Sequence, residues 1–461
     1  DPLKDPSIDQ SLLGHTYQVV MPMTVTKVKD GHTVENTATQ VTNDRRDKTN
    51  TVTNPLKEIN PTKDVTVKVG GDSIDGKSVY LNHTFLYRLD SSILPPDRAY
   101  QTVTDWGGTD QLATEYDRYL GNWAVYASRD LYRDGQVLAA KGEKIAGSGF
   151  DSSKFGGNLF TVDADDNGKV TADATQAYLD LVSADNEHEA GWVLYLQCKR
   201  IAVADEVPNT WTETINGQPR ESNKVITKTP DMTPSIHLEK VDTPTLKQEG
   251  QERADRDDPK QALKMDADSI GITFIITNTS KTDPATGDGA WYKASDLNLD
   301  DSTIVGDAHV DMDSLTYPDN WDTLVLKPGE SVSVTGTLKG VKEGETHTDR
   351  AIVTGTPLVE CAPSNGDPFN DESGDGIDPE YSTGDVTEID GKQLCADTQT
   401  TSNTDDWNGY RAKPLASTGT AVLGLAGGAL AVLLAGGSLL VFRKRHCAQG
   451  SGRHTAVNAG K

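Results

Sequence analysis

The chain has 461 residues, with 44 Lys and Arg against 70 Asp and Glu and a formal net charge of −26. The stretch after Phe442 holds five of the basic residues and no acidic one, so residues 1–442 carry 39 basic against 70 acidic side chains. A surface of that sign repels nucleic acid and anionic lipid and excludes both as partners. Four cysteines in this length rule out a disulfide scaffold, and the length predicts two or three domains.

The chain starts at Asp1 with no initiator Met and no apolar leader, which reads as a fragment. An internal repeat points the same way. Residues 36–50 read NTATQVTNDRRDKTN and residues 209–223 read NTWTETINGQPRESN, each running from an Asn-Thr pair to a second Asn without a gap. Both are followed by alternating β-branched residues and then Pro55 or Pro230, the pattern of a hairpin leading into a half-buried strand. Residues 1–57 are therefore expected to be the closing strands of an upstream β-sandwich, and 58–231 a complete one.

Within 58–231 the segments PTKDV, SILPPDRA, YLGNWAVYA, LYLQCKRIA and SNKVITKTP follow one another in order. Together they resemble the C-terminal domains of streptococcal antigen I/II adhesins. The resemblance implies an immunoglobulin-like β-sandwich in which a lysine near the first strand joins an asparagine near the last. The matching positions are Lys63 and Asn223, with Asp117 or Asp110 as assisting carboxyl; spacing does not choose between the two acids. By the repeat, Asn50 would be the upstream counterpart of Asn223. The chemistry needs a neutral amine and a protonated carboxyl, and an apolar interior favours both. No cofactor is required. Calcium is an optional ligand of such domains, and the metal site, if any, is open.

DADDNG at 163–168 has the opening spacing of an EF-hand loop, with Asp163, Asp165 and Asn167 at positions one, three and five. Position twelve is Ala174 and the flanks alternate as strands, so an Asn-Gly hairpin turn accounts for it better.

Residues 232–360 carry the runs SIGITFIITNTS, DTLVLKPGESVSVTGTLKGV and HTDRAIVTGTP, separated by Gly, Pro and Asp turns, and predict a second sandwich. Its closing motifs resemble stalk repeats of bacterial surface proteins. By position, Lys240 and Asp349 are candidates for a second cross-link, against the plainer reading of a solvated lysine and a turn aspartate. Residues 361–414, rich in Asp, Gly, Ser, Thr and Pro, read as a disordered acidic linker bracketed by a Cys361–Cys395 disulfide. Cys198 reads as a buried free thiol.

Residues 415–461 open with Leu415, Ala416, Ser417, Thr418 and Gly419, continue through an uncharged apolar run from Thr420 to Phe442, and end in Arg443, Lys444 and Arg445. Such a run crosses the roughly 30 Å hydrocarbon core as a helix, with the basic end on the cytoplasmic side. The order resembles a sortase sorting signal, which implies cleavage between Thr418 and Gly419, sortase and peptidoglycan as partners, and a cell-wall location. Ala416 stands where most such signals have proline.

The fold class expected from all this is all-β: tandem immunoglobulin-like β-sandwiches, a disordered linker and a C-terminal transmembrane sorting helix. No hydrolase, zinc-protease or phosphate-loop motif occurs, so an enzyme is not expected. The expected role is the stalk of a wall-anchored adhesin whose ligand is a host or bacterial surface glycoprotein or polysaccharide. A pilin-like subunit and the stalk of a wall-bound enzyme are the alternatives.

Overall fold

Short runs of Val, Ile, Thr and aromatic residues alternating with polar ones set the architecture, because each strand can bury only every second side chain. In the computed structural model, residues 18–414 are described apart from 24, 26, 28–30, 43, 100, 244–255, 365–368, 370–375 and 378–385. The chain is all-β, with sheets that are almost entirely antiparallel.

Residues 33–55 form two exposed two-stranded ladders, Thr33–Asn36 with Val52–Pro55 and Thr39–Thr42 with Arg45–Lys48. The repeat is structural as well as textual. Asn36 lies opposite Val52 in the first ladder, and Asn209 lies opposite Val225 in the corresponding ladder of the next module.

That module packs two five-stranded sheets face to face. One runs Lys144–Gly147, Asp117–Ala127, Trp192–Arg200, Thr84–Asp90, Thr62–Thr66; the other runs Phe160–Ala164, Lys169–Ala174, Trp106–Gln111, Trp211–Ile215, Gln218–Glu221. Trp106, Trp192, Trp211, Phe85, Phe160 and Leu196 fill the space between them, and the helix Gln176–Ala184 adds Tyr178, Leu179 and Val182. The Trp192–Arg200 strand is buried along its whole length because it is central in its sheet and covered on both faces. Gly108 matters to this packing: a Cβ there would lie 2.5 Å from the Trp211 ring, so only glycine lets the two strands keep that indole between them.

The DADDNG segment forms the hairpin between Phe160–Ala164 and Lys169–Ala174, with Asp165 Oδ1 accepting the N–H groups of Asn167 and Lys169 and Gly168 at φ 79°.

The second module again has two sheets. Ile236–Asp242, Ser269–Asn278, Ser331–Lys339 and His309–Val310 make one; Leu263–Met265, Asp405–Arg411, Thr346–Gly355 and Asn298–Val305 make the other. Here the structure corrects the sequence reading. The region 361–414 read as a disordered linker contains the strands Val386–Ile389, Lys392–Ala396, Thr400–Thr401 and Asp405–Arg411, and the last of these sits inside a sheet, between Leu263–Met265 and Thr346–Gly355. The physical reason is Trp407: one fully buried indole in a run of polar residues anchors the strand in the core, where composition averaged over the segment gives no warning. The second module therefore extends to about residue 411 rather than ending at 360. Cys361 and Cys395 are paired as a disulfide, with Cα atoms 5.0 Å apart.

The two modules meet at a polar joint. Tyr80 Oη donates to Asp288 Oδ2 at 3.1 Å, and Lys392 bonds the other oxygen of the same carboxylate. Among the described residues no helix is long and apolar enough to cross a membrane. The Leu415–Gly419 motif and the apolar run after it lie outside the described residues.

Candidate functional site: a buried lysine in each module

Lys63 sits on the first strand of its module, on the inward side of the alternation, and its side chain is fully shielded from solvent. Its Nζ bonds Asp110 Oδ2 and lies 4.5 Å from the centre of the Tyr87 ring. Loss of solvation pushes the amine's pKa down, with the Asp110 charge opposing that shift. An apolar pocket thus favours the neutral, nucleophilic amine. Cys198, on the adjoining part of the core, is a buried free thiol whose pKa burial pushes well up, so it contributes no charge.

The geometry separates the two aspartates. Asp117 accepts from Arg200 Nε at 2.7 Å and from Tyr87 Oη at 2.8 Å, so it is the counter-ion of a fully buried guanidinium. Burial raises its pKa while Arg200 opposes that shift. Asp110 is bound to Lys63, and its Oδ1 is buried with no hydrogen-bond partner. The carboxyl that faces the amine is Asp110.

The structure places the expected asparagine, Asn223, against the main chain of Lys63. Asn223 is exposed, and its carboxamide is spent on the main chain of Lys63: Oδ1 accepts from the Lys63 N–H at 2.8 Å and Nδ2 donates to the Lys63 carbonyl at 2.9 Å. It acts as a rung along the edge of the first strand and is turned away from the amine, because a strand's main-chain bonding direction is perpendicular to its side chains. Among the described residues of this module, Asn209 is the buried asparagine. Val207, Asn209 and Trp211 are buried at alternate positions and so face the core together. Trp211 is the register partner of Asp110, and its Nε1 donates to the carbonyl of Thr62, the residue before Lys63, at 3.0 Å. The Asn209 carboxamide is 5 % exposed, and neither its oxygen nor its nitrogen has a hydrogen-bond partner. A buried amide left unpaired costs about 1–3 kcal/mol, so its presence calls for a reason. The repeat pairs Asn36 with Asn50 and Asn209 with Asn223, and of these four only Asn209 is buried, which the sequence alone does not show.

In the second module Lys240 is equally shielded, bonds Asp301, and has its Nζ 2.6 Å from Asp349 Oδ1. Asn403 repeats the edge-rung role, with its carboxamide on the Leu238 N–H and carbonyl at 2.9 Å each. Among the described residues no group of three or more His, Cys, Asp or Glu side chains is arranged to hold a metal ion.

Residues 60–230 match the family model of the cell surface antigen C-terminus, and residues 3–56 that of the cell surface antigen I/II C2 terminal domain. The chain accordingly carries two regions similar to the C-terminal domains of the cell surface antigen I/II family. Among curated proteins it is similar to an aggregation substance of Enterococcus faecalis, 35 % identical over 233 residues, which is 50 % of this chain and 17 % of that one. It thus spans a small part of that relative's length. Among solved structures it is similar to the C-terminal domain of the Streptococcus pyogenes antigen I/II-family protein AspA, at 28 % identity over 43 % of this chain and 55 % of that one, with TM-score 0.37. The C-terminal domain of the Streptococcus agalactiae AgI/II polypeptide BspA is 24 % identical over 43 % of this chain and 59 % of that one, with TM-score 0.38.

Proposed function

We propose that this chain is the wall-proximal stalk of its adhesin, stiffened by a covalent bond between Lys63 and Asn209 and anchored through Leu415–Gly419. The observation that carries the reading is the buried, unpartnered Asn209 carboxamide on the same inward face as Trp211, the register partner of the Asp110 that holds the shielded Lys63. Neutral Lys63 Nζ adds to Asn209 Cγ while Asp110, protonated, hydrogen-bonds the amide oxygen. The Cγ–Nζ bond forms, the Cγ–Nδ2 bond breaks, and ammonia leaves with one hydrogen taken from the amine. No oxidant or cofactor takes part.

The location follows from the sorting-signal order at 415–461, which supports sortase and peptidoglycan as partners. A surface ligand on a host or bacterial cell is the corresponding target. The similarity to an aggregation substance supports cell-to-cell contact as its setting.

Peptide mapping of the full chain by mass spectrometry tests the cross-link. The expected product is a branched peptide joining Lys63 to Asn209 and lighter by one ammonia, absent from Lys63→Ala and Asp110→Ala. Linear peptides in the wild type would overturn the bond, and a branch at Asn223 would overturn the choice of asparagine.

A further inference from the structure

One sheet of the first module is apolar on its outward face, where an antiparallel sheet that meets water is ordinarily polar. Its strands carry the runs TFLYRL, NWAVYA and WVLYLQC, which are near-continuous in apolar residues, the pattern of strands covered on both sides. Along Thr84–Asp90, Asp117–Ala127 and Trp192–Arg200 one alternate set, including Phe85, Tyr87, Leu194 and Leu196, packs between the two sheets. The other set, Leu86, Ala124, Val193 and Tyr195, forms a separate cluster on the far side. Ala124 is the register partner of Tyr195 and Leu86 is diagonal to it, so they make one continuous patch. Leu86 and Ala124 are completely shielded from solvent.

Part of that shield comes from the other module. Among the described residues of this cluster, Phe369 is the one that lies outside 58–231. It is 7 % exposed, its carbonyl accepts from Tyr126 Oη at 3.0 Å, and Lys144 Nζ stands 5.5 Å from the centre of its ring. Apolar burial, a hydrogen bond and a cation–π contact thus act on one residue. In the chain Phe369 falls between the paired strands Pro363–Ser364 and Gly376–Ile377, inside the loop that Cys361 and Cys395 close. The root of the loop is fixed in the second module, where Cys395 pairs with Val359 and Leu358 and Leu394 pack with Trp291. A small polar joint leaves two modules free to move against each other, and a second, apolar contact elsewhere on the surface removes that freedom.

We propose that the outward sheet face of the first module is the docking surface for the second, with Phe369 as its anchor, and that the Cys361–Cys395 bond fixes the angle between the modules by tethering that anchor. The disulfide limits how far Phe369 can stray from its root, so undocking gains less chain entropy than it would from an open loop. Docking also hides an apolar patch that would otherwise face water. The patch lies on the opposite side of its sheet from Lys63, so the latch is independent of whether Lys63 is joined to Asn209.

Pulsed electron resonance on the full chain tests this, with one spin label per module at the exposed positions Val137 and Ile304, attached through p-acetylphenylalanine so that the cysteines are untouched. The wild type is expected to give a single narrow distance distribution. Phe369→Ser and the double variant Cys361→Ser/Cys395→Ser should each lose that peak and give a broad distribution, and hydroxyl-radical labelling of Tyr126 and Tyr195 should rise in both. Phe369 belongs to neither sandwich core, so Phe369→Ser keeps both modules folded, which unchanged melting confirms. A distribution in Phe369→Ser as narrow as in the wild type would show that the joint at Tyr80 and Asp288 sets the angle alone and would overturn the proposal. A broad distribution in the wild type would overturn it too, and a narrow one in the folded cysteine variant would overturn the part given to the disulfide.

Discussion

Arg200 and Asp117 show what a single buried charge does in the first sandwich. The Arg200 guanidinium is completely enclosed, bonded to Asp117 at 2.7 Å, to Thr229 Oγ1 at 2.8 Å and to Thr227 Oγ1 at 2.6 Å, which ties the central strand to the closing one. Arg200→Met keeps much of the volume but strands the Asp117 carboxylate, and breaking a buried pair from one side costs about 3–5 kcal/mol. Urea denaturation should show that loss. Asp405 supplies a pH dependence in the second sandwich. Burial, with repulsion from Asp257, pushes its pKa up to about 7, although the Lys240 N–H donates to it at 3.1 Å. The folded state therefore holds a proton that the unfolded chain has released above about pH 4. This stabilisation is complete below that pH and is lost as pH rises through 7. The full shift would be worth about 4 kcal/mol, and screening reduces the expectation to about 1–2 kcal/mol. Melting of the second module should fall between pH 5 and pH 8, and Asp405→Asn should flatten that slope. At this scale Lys63 was singled out through the resemblance that PTKDV and the other segments carry together, not by any one of them. That Asp110 rather than Asp117 faces its amine was not legible, because both are acids in one stretch and only Arg200, far along the chain, claims the second.

Strands differ in how plainly they advertise themselves. SIGITFIITN alternates over its whole length and its buried residues Ile272, Phe274 and Ile276 form one face of the core, so both strand and facing were readable. DDWNGYR has one large apolar side chain and looks like turn sequence, yet it pairs with Thr346–Gly355 from Thr346 opposite Tyr410 to Ala351 opposite Asp405. The strand exists because its neighbours supply the ladder and Trp407 supplies the burial; neither is a property of the segment itself. Gly409 is part of that arrangement, since a Cβ there would come within 2.5 Å of the Trp407 ring. Trp407→Ala is expected to cost about 3–5 kcal/mol, the range for removing a buried large side chain. In hydrogen exchange that variant should lose protection across Asp405–Arg411 and its partner strand. A solvated linker tryptophan would change neither.

At the scale of the whole molecule, the proposed bond between Lys63 and Asn209 would decide how the proposed stalk answers to pulling. Force applied along the chain enters the first sandwich at its opening strand and leaves past Pro230. Without a covalent link it is borne by the ladders that join Thr62–Thr66 to Thr84–Asp90 and Ala204–Asn209 to Val225–Thr229. With the link, load passes from Lys63 to Asn209 directly, and the residues between them cannot extend however far the sheets peel. Those 145 residues would otherwise release about 500 Å of chain at roughly 3.5 Å each. Single-molecule stretching of the wild type should therefore lack a step of that length, and Asp110→Ala, which leaves both joined residues in place but removes the assisting acid, should restore it. The joint at Tyr80, Asp288 and Lys392 is polar and non-covalent, so it should give way first and contribute only a short extension. A wild-type trace with the full step would mean that the sandwich bears load through hydrogen bonds alone, and the stalk would then be no stiffer than an ordinary immunoglobulin-like module.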